Sequence, residues 1–265
     1  MLSQRHRARQ LNQQVLYNLT DARGRHGHFT ELTIALRYAD QALGELGTID
    51  KAGDCATRAQ IISMHALRGE ILRRQAVRDT NNHYSYQIFN QARDDLEPAE
   101  QAILALINRP GINPDEKAEL AAEAGRIALF TGLLDLSQEL IAKQRGLARF
   151  AYPLAHGSAA IERAYRYLTE QCDAHSNHVR VHTTIFGWAA AKLNGNVPEA
   201  ETWKDRLHDE LGWTREHEPY RYVELGWMAL KAAARLTLPG GAEGIILSGY
   251  TPDATEVHDM CESDR

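Results

Sequence analysis

The strongest constraint on the fold of this chain is a recurring pattern of helix, short break and helix. Its clearest instance covers residues 175–211, where two stretches of helical periodicity are separated by Asn194-Gly195-Asn196-Val197-Pro198. Gly195 can adopt the left-handed conformation that ends a helix, Asn196 can cap the next helix, and Pro198 suits a first turn because it needs no N–H donor. The stretch therefore predicts a helical hairpin.

Apolar residues recur at helical spacing along most of the chain. The periodicity predicts further helices over residues 10–22, 30–46, 56–77, 84–96, 98–107, 115–131, 133–147, 159–172 and 220–236. In this prediction Pro98 starts a helix, Gly132 makes a turn between two helices, and the loop at residues 109–114 is a possible sub-boundary. Residues 244–250 form the one short apolar run of β character, and a single strand cannot make a sheet.

These elements predict an all-α chain. We expect residues 1–238 to form one helical domain of roughly five irregular hairpins, because the helix and break pattern continues to that point. Residues 239–265, which are rich in acids and turn formers, are expected to be a loosely ordered tail.

Composition limits the classes of partner. The net charge of −5 gives no overall basic surface, so we expect no direct binding of nucleic acid. Charge is uneven, because residues 1–28 hold five arginines and one acid whereas residues 243–265 hold six acids and one arginine. Three widely spaced cysteines and the lack of a long apolar run favour a cytoplasmic protein without a membrane segment.

Several spacings resemble the tetratricopeptide repeat (TPR), a helix–turn–helix unit of about 34 residues. The repeat has a small residue on its first helix, a glycine at the turn and an alanine or other small residue where its helices touch. The positions that match are Gly125, Gly132 and Ser137, then Gly195 and Ala200, and finally Leu225-Gly226. These markers are unevenly spaced along the chain, so the resemblance is to degenerate repeats in a TPR-like α-solenoid.

The resemblance implies a groove, lined by the first helix of each repeat, that binds a peptide or helix of another protein. The groove-facing positions in this chain are Arg73, Arg74, Glu119, Arg126, Phe130, His182, Ile185, Lys192, Tyr220, Trp227 and Lys231. The set is cationic and aromatic, which favours an acidic peptide as the ligand. We therefore expect a protein-interaction or regulatory scaffold without catalytic residues. The acidic residues 253–264 are a second candidate ligand, docking onto their own chain.

Two alternative functions stay open. Cys172, His175, His178 and His182 follow one another at spacings of three, three and four residues. The three histidines share one helical face, and imidazoles four residues apart can chelate a metal. Because no carboxylate completes an H-E-x-x-H motif, we assign no metal or other cofactor, and a metal-binding protein or enzyme centred on this face is the first alternative.

The second alternative is the sensor subunit of a transcription regulator, a role that helical repeats of this kind also have. The basic residues Arg5, Arg7 and Arg9 precede a predicted helix. The 28 residues before the second predicted helix are too few for a helix-turn-helix domain with its own core. DNA binding would therefore need another subunit.

Overall fold

The computed structural model describes residues 29–47, 54–147, 154–169 and 174–248. Within these ranges every regular element is an α-helix, which confirms the all-α prediction. The helices are α1 (Phe29–Leu46), α2 (Cys55–Arg78), α3 (Asn82–Ile107), α4 (Pro114–Gln144), α5 (Leu154–Thr169), α6 (Ala174–Leu193), α7 (Val197–His217), α8 (Pro219–Leu236) and α9 (Gly241–Ser248). The predicted helix at residues 10–22 lies outside the described residues.

Local capping chemistry sets the helix ends. Asp54 accepts a hydrogen bond from the backbone N–H of Thr57 at 2.9 Å, and Asn113 caps α4 with Pro114 in its first turn. In the 175–211 stretch the hairpin is confirmed: Gly195 has a φ of +66° and Asn196 accepts from the N–H of Glu199. The second helix of this hairpin continues to His217, six residues beyond its predicted end.

Two predicted helix breaks are wrong. Pro98 lies inside the continuous helix α3, on its exposed face. There, water can bond the Asp94 carbonyl that the proline leaves without a donor. Gly132 lies inside α4, where it makes no turn and lets α5 approach: a Cβ at Gly132 would lie 2.7 Å from Ile161 Cγ1 and 2.9 Å from the Gly157 carbonyl oxygen. Gly132 is thus needed for a helix crossing and not for a turn.

The helices pack in order along the chain. Each of α1 to α8 packs against its neighbour in sequence, and α2, α4, α6 and α8 also contact one another in succession. We call α2, α4, α6 and α8 together the even layer.

The core follows the same order. One apolar cluster joins α1 to α2, a second joins α2, α3 and α4, and the largest extends from α4 to α9. Phe130 packs against the first and second clusters, and Tyr167 and Leu247 pack against the second and third. The core is therefore continuous through the described residues and has no break at the loop of residues 109–114.

The chain end differs from the prediction. Residues 241–248, which the sequence analysis placed in a loose tail and partly in a β-like run, form helix α9, with Ile245 and Ile246 in the largest core cluster. Three apolar residues in a row carry no helical period, so the pattern alone could not distinguish the two conformations. The acidic residues 253–264 lie outside the described residues.

None of the helices in the described ranges has the length and apolar character needed to cross a bilayer.

Replacing Gly132 by alanine is expected to lower the free energy of unfolding by about 1–3 kcal/mol, because the added Cβ overlaps backbone atoms of α5 that cannot move independently. Urea unfolding followed by circular dichroism measures the change. Gly226→Ala in α8 is the matched control, since nothing lies within 4 Å of its added Cβ. The control is expected to gain about 0.5–1 kcal/mol from helix propensity. Equal effects of the two substitutions would contradict a close crossing of α4 and α5.

Candidate functional site: the even layer and helix α9

Helix α9 lies against the even layer. Its substantial contacts are with α6, α4, α8 and α2, the four helices of that layer. Ile245 and Ile246 are both 0% exposed, and Leu247 packs against the two larger core clusters. The layer is therefore a surface that holds a short helix, and the last described helix of the same chain occupies it.

Two glycines allow the chain to turn from α8 onto the layer. Gly240 has a φ of +70°, a conformation that side chains with a Cβ rarely adopt. A Cβ on Gly241 would lie 1.8 Å from the Arg235 carbonyl oxygen, so this position requires glycine as well. The Gly241 N–H closes the turn by donating to the Leu238 carbonyl at 3.0 Å.

A buried ionic cluster joins α9 to the layer. The Arg73 guanidinium is 0% exposed and donates from Nε and Nη2 to the two carboxylate oxygens of Glu70, at 2.6 and 2.8 Å. Its Nη1 donates to Ser137 Oγ of α4 at 2.8 Å and to the Ile246 carbonyl of α9 at 3.3 Å. Arg74 donates to Glu70 at 2.7 Å. One arginine thus connects α2, α4 and α9.

The cluster keeps Glu70 ionised. Burial on its own would raise the pKa of the Glu70 carboxyl, but the charges and hydrogen bonds of Arg73 and Arg74 outweigh burial and lower that pKa to about 2. The sequence analysis predicts that Arg73 and Arg74 bind a carboxylate of a partner peptide. In the structure they bind the carboxylate of Glu70, which belongs to their own helix.

The other predicted groove residues of α4 and α6 also make contacts within the chain. Arg126 donates to Ser63 Oγ at 2.7 Å and to Glu123 at 2.6 Å, and Phe130 packs between two core clusters. Lys192 donates to the Leu236 carbonyl at 3.2 Å. This carbonyl is at the C-terminal end of α8, whose partial negative charge attracts a cation. His182 is buried beside His178, with ring centroids 4.2 Å apart. Glu119 and Ile185 complete this part of the predicted set; Glu119 is exposed and Ile185 is in the core.

The three predicted groove residues of α8 lie apart from this set. Tyr220 is 94% exposed, Trp227 is 46% exposed, and Lys231 is half-buried. Their face of α8 points away from the buried Leu225 and Met228. The structure therefore separates the predicted groove into an occupied surface on α2, α4 and α6 and an open face on α8.

The proposed histidine face is only partly described. His178 and His182 lie next to each other, whereas Cys172 and the side chain of His175 lie outside the described residues. Among the side chains that the structure does describe, no three His, Cys, Asp or Glu residues are grouped so that they could hold a metal ion.

A second buried polar cluster stabilises the hairpin of α6 and α7. Arg180 donates to Glu210 at 2.7 Å, and the hydroxyl of Tyr165 from α5 donates to the same carboxylate at 3.2 Å. Thr214 donates to Asn177 at 2.9 Å. Burial and the Glu210 charge raise the pKa of the Tyr165 hydroxyl, so it stays a hydrogen-bond donor. These groups bond one another across three helices, and the cluster is structural.

Sequence analysis did not predict the residues that bind Arg73 or those by which α9 packs against the layer. Glu70, Ser137, Ile245 and Ile246 were not among the predicted site residues. Glu70 had a signal, because an acid three and four residues before Arg73 and Arg74 predicts ion pairs within one helix. Ser137 was noted only as a small residue of the repeat pattern, and the two isoleucines had no signal. The contacts of Arg73 with Ser137 and Ile246 join residues that are 64 and 173 positions apart in sequence.

Comparison of the chain with protein-family models, curated proteins and solved structures gives no match.

The ionised Glu70 predicts a pH dependence of stability. The unfolded carboxyl has a pKa of 4.5 and the folded one a pKa of about 2, so its stabilisation is complete above the unfolded value and is lost as pH falls through the folded value. Glu70→Gln is expected to remove about 3 kcal/mol of the acid-dependent change in unfolding free energy between pH 6 and pH 2. Urea unfolding at a series of pH values measures it.

Glu201→Gln is the control for Glu70→Gln, because Glu201 pairs with Lys204 in solvent. The control is expected to keep the acid dependence of the unmodified chain. If Glu70→Gln also keeps that dependence, the carboxylate is not held ionised by its arginines.

Proposed function

We propose that this chain is a protein-interaction module, a TPR-like α-solenoid with degenerate repeats whose even layer binds a helix. The succession of contacts along α2, α4, α6 and α8 supports the repeat architecture, because in an α-solenoid corresponding helices of adjacent repeats stack on each other. The capped hairpin of α6 and α7 supports it further.

The observation that carries the proposal is the packing of α9 against the even layer. A helix of eight residues cannot be stable by itself in water, so its order comes from the layer that it contacts. It presents two fully buried isoleucines and one backbone carbonyl, and the layer provides an apolar surface and the Nη1 of Arg73. In the proposed function α9 takes the position that a partner's helix would take.

The mode of α9 binding also defines the class of partner. Because Arg73 and Arg74 are buried and their charges are paired with Glu70, the occupied part of the layer selects aliphatic side chains more than acids. The proposed partner segment is a short helix with adjacent aliphatic residues that follows a glycine-rich turn. This partner differs from the acidic peptide that the sequence analysis predicts.

A nicked chain tests whether α9 is an exchangeable ligand. A protease site inserted after the exposed Leu238 allows cleavage between α8 and α9 in the folded protein. A fluorescent synthetic peptide of residues 239–250 is then expected to replace the cleaved segment, as measured by fluorescence anisotropy. The same peptide carrying Ile246→Asp is expected to bind at least about 100-fold more weakly, because its carboxylate would be buried among apolar groups.

The peptide Ser248→Asp is the matched control, since it adds the same charge at an exposed position of α9. It is expected to bind like the unmodified peptide. Circular dichroism of the nicked chain, after the cleaved segment has been removed, shows whether the other helices stay folded without α9. If the remaining helices unfold, α9 is a permanent part of the core and the layer is not a binding surface.

A further inference from the structure

We propose that α8 pairs with α8 of a second copy of this chain, antiparallel and around a twofold axis next to Trp227 and Met228. The proposed interface is the solvent face of α8, a surface that the binding of α9 leaves open. It is independent of the proposed function of the even layer.

Large apolar side chains concentrate on this face. Of the seven large hydrophobic residues that are exposed in the described part of the chain, four belong to α8, and a fifth, Leu238, lies just beyond its end. The four are Tyr220, Val223, Trp227 and Leu230, with exposures of 94%, 56%, 46% and 63%. Successive spacings of three, four and three residues place them on one side of the helix.

This side lies opposite the face that α8 buries in its own chain. Leu225, Met228 and Ala232 fill the core at helical positions roughly 100–160° away from Trp227 at 100° per residue. No other described helix covers the stripe. Contiguous apolar surface of this kind is typical of interaction sites, whereas scattered exposed residues are not.

The charges next to the stripe select a second copy. Glu224 and Lys231 lie on the same edge of the stripe, three residues before and four residues after Trp227. A twofold axis perpendicular to two antiparallel helices keeps each edge on its own side and reverses the order of residues along it. Glu224 of each copy therefore meets Lys231 of the other, which gives two reciprocal ion pairs.

The apolar residues match under the same operation. Val223 of one copy meets Leu230 of the other on the opposite edge of the stripe. The large Tyr220 meets the small, exposed Ala234. The stripe is thus complementary to itself in charge and in side-chain size. The C-terminal residues 249–265, with five acids and one arginine, fit its mixed charges less well.

The size of the face sets the expected affinity. Helix α8 has 18 residues and is therefore about 27 Å long. A single pair of such helices lies at the small end of specific interfaces, which bury roughly 1,200–2,000 Å² in total. We therefore expect reversible dimers with a dissociation constant on the order of micromolar.

Sedimentation velocity of the full chain over a series of concentrations tests the proposal. The unmodified chain is expected to approach twice its mass of 29.7 kDa as concentration rises. Val223→Glu is expected to keep it monomeric, because the substitution places a carboxylate against the partner's Leu230. Val197→Glu is the matched control, a substitution of the same kind at a valine that is 69% exposed on α7, and it is expected to dimerise normally.

Charge reversal tests the antiparallel register. Glu224→Lys and Lys231→Glu are each expected to weaken dimerisation about 5- to 10-fold, and the double variant is expected to restore it. The proposal is overturned if the chain is monomeric at all concentrations, or if Val223→Glu and Val197→Glu sediment alike. It is also overturned if Val223→Glu changes only the hydrogen exchange of residues 249–265, which would make that segment the occupant.

Discussion

The hydrogen bonds of one buried arginine, Arg73, join three helices of the structure. A guanidinium removed from water is costly unless its donors find acceptors, and Arg73 finds them on α2, α4 and α9. Because these acceptors come from three helices, the charge is satisfied only when the three are assembled. The same requirement fixes the position of α9, whose Ile246 carbonyl is one of the acceptors. The ionic cluster thus gives the C-terminal helix a defined place that apolar contacts alone would leave less specific.

The surface of α2, α4 and α6 that α9 covers differs in character from the outer face of α8. On α2, α4 and α6, most of the cationic groups predicted to bind a ligand are bonded within the chain, and the proposed ligand surface is aliphatic. On α8, no other helix of the described residues covers the outer face, and large apolar residues stay exposed. The proposed pairing of α8 would cover these exposed apolar residues, just as α9 covers the layer beneath it.

Prediction from sequence succeeded where the determining interaction is local. The all-α class, the helix cap at Asn196 and the hairpin of α6 and α7 all depend on residues within one turn of each other. It failed at Pro98 and Gly132, where a residue that commonly breaks helices lies inside one. Pro98 is tolerated because it faces water, and Gly132 is required because α5 crosses there. Neither reason can be read from neighbouring residues.

The sequence by itself determined where helices form and which glycines and capping residues separate them, because hydrogen bonds within a turn and apolar periodicity are encoded by adjacent residues. It also determined which residue types are available to bind a partner. Only the tertiary structure decided how those residues are used. Arg73 bonds Ser137 and Ile246 because α4 and α9 pack beside α2, whereas Tyr220 and Trp227 stay in solvent because no described helix follows α8 on that side. Contacts between residues tens or hundreds of positions apart depend on the packing of whole helices, which local patterns do not specify.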